Sequence, residues 1–513
     1  MSASKSKKER KQLDPKGLSF RELAEQKQAE KKKKNLKTAL ISVAAIVVAL
    51  AIIFGVIALV NAPYRKTVAT VGSEKINVPV YNSFYNANAN NMYQYLSYFG
   101  AIKPNVPLSE QANPMTGEGT MEDYMIEATN QGLQQTYNLY IKAKADKNFS
   151  LSDEAKKNIS DSVNALTATA TNYGFGSVND YLRASVGRGA KVSDYEEYLT
   201  VATTASEYSA YLEENFAPSD DELKTKYEAS AEDFDFVFYT YSMTNAKAEE
   251  TSTTENSEDA KTPTYTDEAK AAAKTEAEEK QENMPEDATT THQQKASVGN
   301  EELASWLFDS ARKEGDTTVI AQNEEGTSYM TVRFESRETN DYTRVNAYIL
   351  SISRKVEEAD EKNTEETSEE TTEQTTEEKT EPTPDEKFAT LKEGLKDDMS
   401  DEDFETYVKG LEYTPTVRPM DKYSSTDEIN AWLYDSARKA GDMETFETED
   451  TYYLVRYSSA EEMTYRNVLV KDNLYHAMFD ALSTELEVQI DKDALAYANT
   501  DLTFRSQSSD TAS

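Results

Sequence analysis

The sequence predicts an α+β protein: a single N-terminal transmembrane helix, an all-α domain, and two small α+β units carrying disordered acidic insertions. Three observations carry that prediction. Residues 39–60 form an apolar run broken only by Ser42. Residues 68–230 hold a succession of helix-spaced apolar patterns with short links and polar caps. Finally, the sixteen residues Glu301 to Asp316, EELASWLFDSARKEGD, return at Asp427 to Asp442 as DEINAWLYDSARKAGD, with ten of the sixteen identical.

The apolar run, 22 residues from Ala39 to Val60, is long enough at ~1.5 Å per residue to cross a hydrocarbon core of ~30 Å. Residues 1–38 ahead of it form a basic tail holding 13 Lys/Arg against 5 Asp/Glu. After Val60 the chain holds 42 Lys/Arg against 88 Asp/Glu, a formal charge of 42 − 88 = −46. The positive-inside rule then predicts a single-pass cell-membrane protein with a cytoplasmic N-terminus and an extracytoplasmic bulk. A cleaved signal peptide would have an apolar core of ~7 to 15 residues and a small-x-small site. The nearest candidate, Val60-Asn61-Ala62, runs into Pro63, which favours an uncleaved anchor. With no cysteine, a cysteine-acylated lipoprotein, disulfides, thiolate nucleophiles and thiolate metal sites are excluded.

Beyond the anchor, Val68–Val71 reads as a short strand and Gly72-Ser73-Glu74 as a turn, followed by a Tyr-rich helix over about 78–99. Residues 102–120, rich in Pro, Asn and Gly, read as a loop. Met125, Ala128, Leu133, Tyr137, Tyr140 and Ile141 mark a second helix over 121–145. Ser152 or Asp153 caps a third that runs to Asn172. After the break Tyr173-Gly174-Phe175-Gly176 come a short helix at 178–185, a longer one at 192–215, and Pro218-Ser219-Asp220-Asp221 capping 222–228.

Composition changes at Phe234, where the dense aromatic run to Tyr241 predicts the first strand of an α+β unit spanning 234–340. Val345–Ser353 opens a second unit, 343–471, with helices at 388–395 and 401–411. Each unit carries one copy of the repeat, and downstream of it SYMTVRF (328–334) answers TYYLVRY (451–457) as an alternating strand. The repeat itself reads as a helix in which Leu303, Trp306, Leu307 and Ala311 share a face, ending at Gly315, so Trp306 and Trp432 are expected to anchor the cores. A separation of 427 − 301 = 126 residues is far beyond the ~20–50 residue period of a solenoid, so these are two domains. A last strand at 465–470, a C-terminal helix at 473–490 and a disordered tail at 500–513 complete the reading.

The segments 245–297 and 356–382 are dominated by Glu, Thr, Lys and Ser and are expected to be disordered, although the Ala-rich stretch 266–281 is helix-compatible. No Asp-x-Asp-x-Asp-Gly loop accompanies the acidity, so solvated spacers are expected there and no metal site. The charge of the outer part argues against nucleic acid and against docking flat on an anionic membrane.

This order of parts resembles the membrane-anchored foldases of the SurA/PrsA/PpiD group. In the helical part the resemblance rests on Val71-Gly72-Ser73-Glu74-Lys75-Ile76, Phe149-Ser150-Leu151-Ser152-Asp153-Glu154, Tyr173-Gly174 and Asp180-Tyr181-Leu182-Arg183. In the repeats it rests on the Trp helix with Gly315-Asp316 or Gly441-Asp442, and on SYMTVRF and TYYLVRY. The resemblance implies a SurA-type chaperone domain at 68–230, followed by two parvulin-type (PpiC-like) peptidyl-prolyl isomerase domains. It also implies an isomerase site built on histidines. At the matching places this chain has Tyr348 and Asn467 for one histidine, and Met330 and Tyr453 for the other. His292 lies in the Thr/Gln stretch and His476 after the predicted last strand. No Ser-His-Asp set, phosphate loop or metal cluster stands out, so no catalytic residue, metal or cofactor is assigned.

Rotating a prolyl amide needs only a pocket that stabilises the twisted bond against ~18–20 kcal/mol, so an active peptidyl-prolyl cis-trans isomerase stands as one alternative. A non-catalytic envelope scaffold is another. The expected function is an extracytoplasmic, membrane-anchored folding factor that binds unfolded or newly secreted polypeptides, parvulin-like but lacking efficient isomerase catalysis. Its physical basis is a surplus of aromatics, 32 Tyr and 17 Phe against 2 Trp. They crowd the first helix, where Tyr81, Phe84, Tyr85, Tyr95, Tyr98 and Phe99 are the candidate peptide contacts. Polypeptide clients and the membrane are the expected partners, nucleic acid is not, and no oligomeric state is assigned.

Overall fold

The computed structural model describes residues 59–113, 115–248, 264–354, 382–396 and 399–505. The chain divides into two compact units: one holds the chain to Phe216 together with Met478 onward, and the other is Ala217–Ala477.

The first unit opens with a hairpin, β1 (Thr67–Val71) and β2 (Glu74–Asn77), turned at Gly72, whose φ of +56° is left-handed. Asn77 accepts from the Val80 N–H and so caps α1 (Val78–Tyr98), with Pro79 in the first turn, where its missing N–H costs nothing. Thr120 and Asp123 form a capping box for α2 (Met121–Ala145). Ser152 caps α3 (Asp153–Asn172) and Ser177 caps α4 (Val178–Ser185), and α5 (Val192–Asn215) follows. Val68, Val71, Ile76, Tyr81, Tyr85, Met125, Leu133 and Tyr137 share one core.

The second unit starts with α6 (Asp220–Ala229) and then builds one architecture twice. The first copy is β3 (Phe236–Asn245), α7 (Asp267–Glu282), β4 (Thr289–Gln294), α8 (Glu301–Leu307), β5 (Thr317–Ala321) and β6 (Ser328–Glu338), in the antiparallel order β4-β3-β6-β5. The second is β7 (Thr343–Ser353), α9 (Pro384–Glu393), α10 (Asp401–Gly410), β8 (Val417–Met420), α11 (Asp427–Leu433), β9 (Met443–Glu447) and β10 (Thr451–Thr464), in the order β8-β7-β10-β9. In both, the first and last strands pair at the centre. A long helix, α12 (Tyr465–Ser483), leads out of the second unit. The chain then returns to the first unit as β11 (Val488–Ile490), which pairs antiparallel with β1, and α13 (Lys492–Leu495), capped by Asp491.

The identities of the repeat become a set of joints. Its helix is only seven residues long in each copy and ends at Leu307 or Leu433, so Ala311 is not helical as its spacing predicts. Asp309 and Asp435 then close a turn by accepting from the N–H two residues on, at 2.9 Å in both copies. Asp316 and Asp442 accept from the Lys313 and Lys439 N–H groups at 3.0 and 2.9 Å. Arg312 lies over Trp306 and Arg438 over Trp432, each at 4.7 Å. Both tryptophans are half-buried at the margin of their cores and roofed by that arginine; they are not the fully enclosed anchors the spacing predicts.

Several expectations need correction. Among the described residues no helix is long and apolar enough to cross a membrane. The fold class the structure supports is therefore helices with three antiparallel sheets, without the predicted transmembrane helix, whose residues 39–58 lie outside the described part. The helical domain is not all-α, because β1, β2 and β11 form a sheet within it. In the segment read as disordered at 245–297, α7 packs Ala273 and Ala277 against the sheet, with Thr331 donating to the Ala277 carbonyl at 2.8 Å, and β4 pairs with β3 along six residues. Residues 249–263 of that segment, and 356–381 of the other, lie outside the described residues. The predicted last strand at 465–470 is instead the start of α12, where Val470 and half-buried Leu474, one turn apart, pack with Leu223 and Phe234. The predicted helix at 473–490 ends at Ser483, and residues 488–490 are strand. Of the tail read as disordered from 500, Thr500, Leu502 and Phe504 are packed, and 506–513 lie outside the described residues.

Candidate peptide-binding groove

The six aromatics proposed on α1 separate by position along the helix. Tyr81 and Tyr85 are fully buried. Tyr81 donates to Asn130 Oδ1 at 3.1 Å and Tyr85 to the Thr500 carbonyl at 2.6 Å, so both hold the core together and neither can touch a peptide. Phe84 is partly buried, edge-on to Tyr198 at 4.8 Å. The last turn is different. Tyr95, Tyr98 and Phe99 are 66, 86 and 63 % exposed, and both tyrosine rings meet Phe99 edge to face at 5.1 Å. Gly100, at φ +67°, lets the chain turn away immediately beyond them.

The middle of α1 lines a groove of about 490 Å³, with α3, α4, α5 and the C-terminal segment supplying the other walls. Leu166, Tyr181, Tyr195, Tyr198, Leu502 and Phe504 make its apolar surface. The C-terminal wall is held in place: Tyr93 stacks on Phe504 at 4.2 Å, Asp501 accepts from Ser109 at 3.0 and 2.8 Å, and Thr500 donates to Glu122 at 2.6 Å. Burial pushes the Tyr195 and Tyr198 hydroxyls above the usual phenol range, keeping them neutral. At the groove Asn86 donates to the Ser185 carbonyl at 3.0 Å, while its Oδ1 is buried with no donor among the described residues. The aromatic walls suit an extended peptide, whereas the Asn86 Oδ1, being buried, is closed to it.

The four positions standing for parvulin histidines do not converge. Tyr348 lies opposite Arg456 in the β7–β10 ladder, and Tyr453 lies opposite Ser351. Alternation along a strand therefore sends the two side chains to opposite faces. Tyr348 packs with Phe388 and Phe404 under α9 and α10, and Tyr453 packs against Ile429 and Leu433 of α11. The Tyr348 hydroxyl donates to Glu405 at 2.9 Å, and burial, then that carboxylate, push its pKa up to about 12. Met330 is half-buried in the first copy, where it lines a separate cleft of about 460 Å³ with Tyr239, Tyr241 and Gln293. Asn467, expected on a strand, stands in the first turn of α12, where its N–H reaches Thr464 Oγ1 at 3.4 Å. His292 is not in a disordered stretch but on β4, between Phe236, Phe238 and Tyr423 at 5.1–5.3 Å. His476 is on α12.

No family model and no curated protein matches the chain. The groove is thus read on its own geometry. Sequence reasoning missed it because its walls come from segments hundreds of residues apart. The one local signal was the pair Tyr195 and Tyr198, three residues apart and so on one helix face.

Proposed function

We propose that the first unit binds unfolded or extended polypeptide segments and that the protein acts as a folding factor without an isomerase site of the histidine type. The observation that carries this reading is the cluster of Tyr95, Tyr98 and Phe99, three adjoining rings left largely in water at the end of α1. Isolated exposed rings are ordinary, but adjoining ones form an apolar patch of the kind that marks contact surfaces. The groove at the middle of the same helix adds tyrosine faces, which suit peptides of varied sequence. The charge asymmetry of the sequence supports an extracytoplasmic setting for this work.

The test is suppression of aggregation of a chemically unfolded client by the purified chain. The triple variant Tyr95→Ser/Tyr98→Ser/Phe99→Ser should fold with wild-type stability, within ~0.5 kcal/mol, because the rings are exposed. If each ring contributes ~1 kcal/mol to contact, its affinity for client falls roughly a hundredfold. Undiminished suppression by the folded variant would sink the proposal. Acceleration of a proline-limited refolding phase by the wild type would instead revive the isomerase alternative.

A further inference from the structure

The net charge of the chain argues against an anionic membrane surface, but the charge is unevenly spread over the first unit. Around the 3₁₀ turn Ala62–Arg65, Arg65, Lys66, Arg183, Arg188 and Lys191 gather on one side. The Arg188 guanidinium lies over the Tyr64 ring at 4.7 Å and reaches Asn61 Oδ1 at 3.4 Å. Lys66 Nζ stands 5.3 Å from the Tyr497 ring, and Tyr64 and Tyr497 meet edge to face at 5.4 Å. Gly189 permits this approach. Its φ is +88°, and a Cβ there would lie 3.1 Å from the Tyr64 carbonyl oxygen.

Three carboxylates lie among these cations: Glu197 acts on Arg65 through space, and the other two are engaged directly. Asp194 accepts from Arg65 at 2.7 and 2.9 Å, and Asp180 from Arg183 at 2.8 Å. Lys66, Arg188 and Lys191 have no ion-pair partner among the described residues. Beside them lies a cleft of about 560 Å³ whose lining is largely apolar, with Ala62, Ala190 and Val192, and carries the donors of Arg65, Arg183 and Lys191. Leu59 and Val60 are 74 and 47 % exposed at the same edge, where the chain arrives from the apolar sequence 39–58.

We propose that this face rests on an anionic bilayer. Tyr64 and Tyr497 sit at headgroup level, as amphipathic rings do at membrane interfaces. Lys66, Arg188 and Lys191 meet lipid phosphates, and the cleft receives one headgroup. The acidic remainder of the chain does not prevent this, because at physiological salt exposed charges more than ~8 Å away are largely screened. Local charge therefore decides. The proposal is independent of polypeptide binding.

The experiment is hydrogen exchange of the full chain with vesicles of phosphatidylcholine alone, or of phosphatidylcholine mixed with phosphatidylglycerol. Each basic residue held at an anionic surface is worth about fivefold, so amides at 61–66 and 187–191 should slow by at least about fivefold on the anionic vesicles only. High salt should reverse the slowing. Lys66→Glu/Arg188→Glu/Lys191→Glu should abolish it while exchange in α1 and α2 stays as in the wild type. If the reversal variant misfolds, Lys66→Gln/Arg188→Gln/Lys191→Gln answers the same question. Equal slowing on both lipids, slowing on neither, or a folded variant that behaves as the wild type would overturn the proposal. So would the same protection from inorganic phosphate alone.

Discussion

Replacing Arg456 with methionine should be among the most damaging single changes in the second unit, and its cost can be worked from the contacts. Arg456 is 1 % exposed on β10. It donates to the Met399 carbonyl at 2.6 Å, to the Gly441 carbonyl at 3.2 Å, and through two nitrogens to Asp401 Oδ1 at 3.0 and 2.8 Å. Asp401 opens α10, so this side chain ties the helix, the loop before it and the turn after α11 to the sheet. Methionine keeps the apolar stem but supplies no donor. Two carbonyls then lose their donor at ~1–3 kcal/mol each, or ~2–6 kcal/mol in sum. The Asp401 side chain is 48 % exposed and regains water, so the ion pair itself adds little. The repeat supplies a control in the same molecule. Arg333, the counterpart of Arg456, is 39 % exposed and bonds Glu335 two residues along its own strand at 2.8 Å. Arg333→Met should cost no more than ~0.5 kcal/mol. Urea unfolding reads each in its own copy: Trp432 fluorescence in a Trp306→Phe background for Arg456→Met, and Trp306 fluorescence in a Trp432→Phe background for Arg333→Met. An Arg456→Met cost below ~1 kcal/mol, or equal to that of Arg333→Met, would refute the reasoning.

Deleting residues 500–513 removes the Thr500 acceptor of Tyr85 and the Phe504 partner of Tyr93. The calorimetric midpoint of the first unit should fall by at least ~4 °C, where loss of a true disordered tail would leave it in place. Trp306→Ala and Trp432→Ala should each cost ~2 kcal/mol in denaturant unfolding, below the ~3–5 of a fully enclosed ring, because both indoles are half-buried. His292 is depressed below its ordinary pKa of 6.5 by burial, which outweighs the opposing pull of Asp421. The unfolded chain therefore takes up this proton first: the stability tied to neutral His292 is whole above pH 6.5 and is lost as pH falls through the folded value. Thermal melts between about pH 7 and pH 5 should show a smaller acid-induced loss in His292→Gln than in the wild type, and parallel curves would remove His292 from the account.

Signals confined to a few residues were legible. Ser152 caps α3, and the aromatic run at Phe236 is a strand, because cap chemistry and strand alternation act over one turn or one pleat. The repeat identities were visible but partly misassigned. Asp309, Arg312 and Asp316 serve a turn and a roof over Trp306, and sequence identity alone cannot distinguish a kept turn from a kept helix. β4 was illegible because TTTHQQ has no apolar face; it is a strand only because β3 offers it a ladder. The run at 465–470 is too short for period 2 and period 3.6 to separate, so Asn467 was placed on the wrong element. In the candidate site, exposure split Tyr95, Tyr98 and Phe99 from Tyr81 and Tyr85, although all five look alike in sequence.

The pairing of β11 with β1 bears on how the molecule is made. Val488 meets Val71 and Ile490 meets Ala69, so the sheet of the first unit lacks a strand until more than four hundred further residues have been synthesised. Domains ordinarily fold as they emerge, N-terminal first. Here that order is inverted: Ala217–Ala477 has all its strands before the first unit has its last. Until β11 and the segment after it arrive, the nascent chain presents an open strand edge at β1 and an uncovered Tyr85–Tyr93 surface, the features by which an unfinished chain is prone to aggregate.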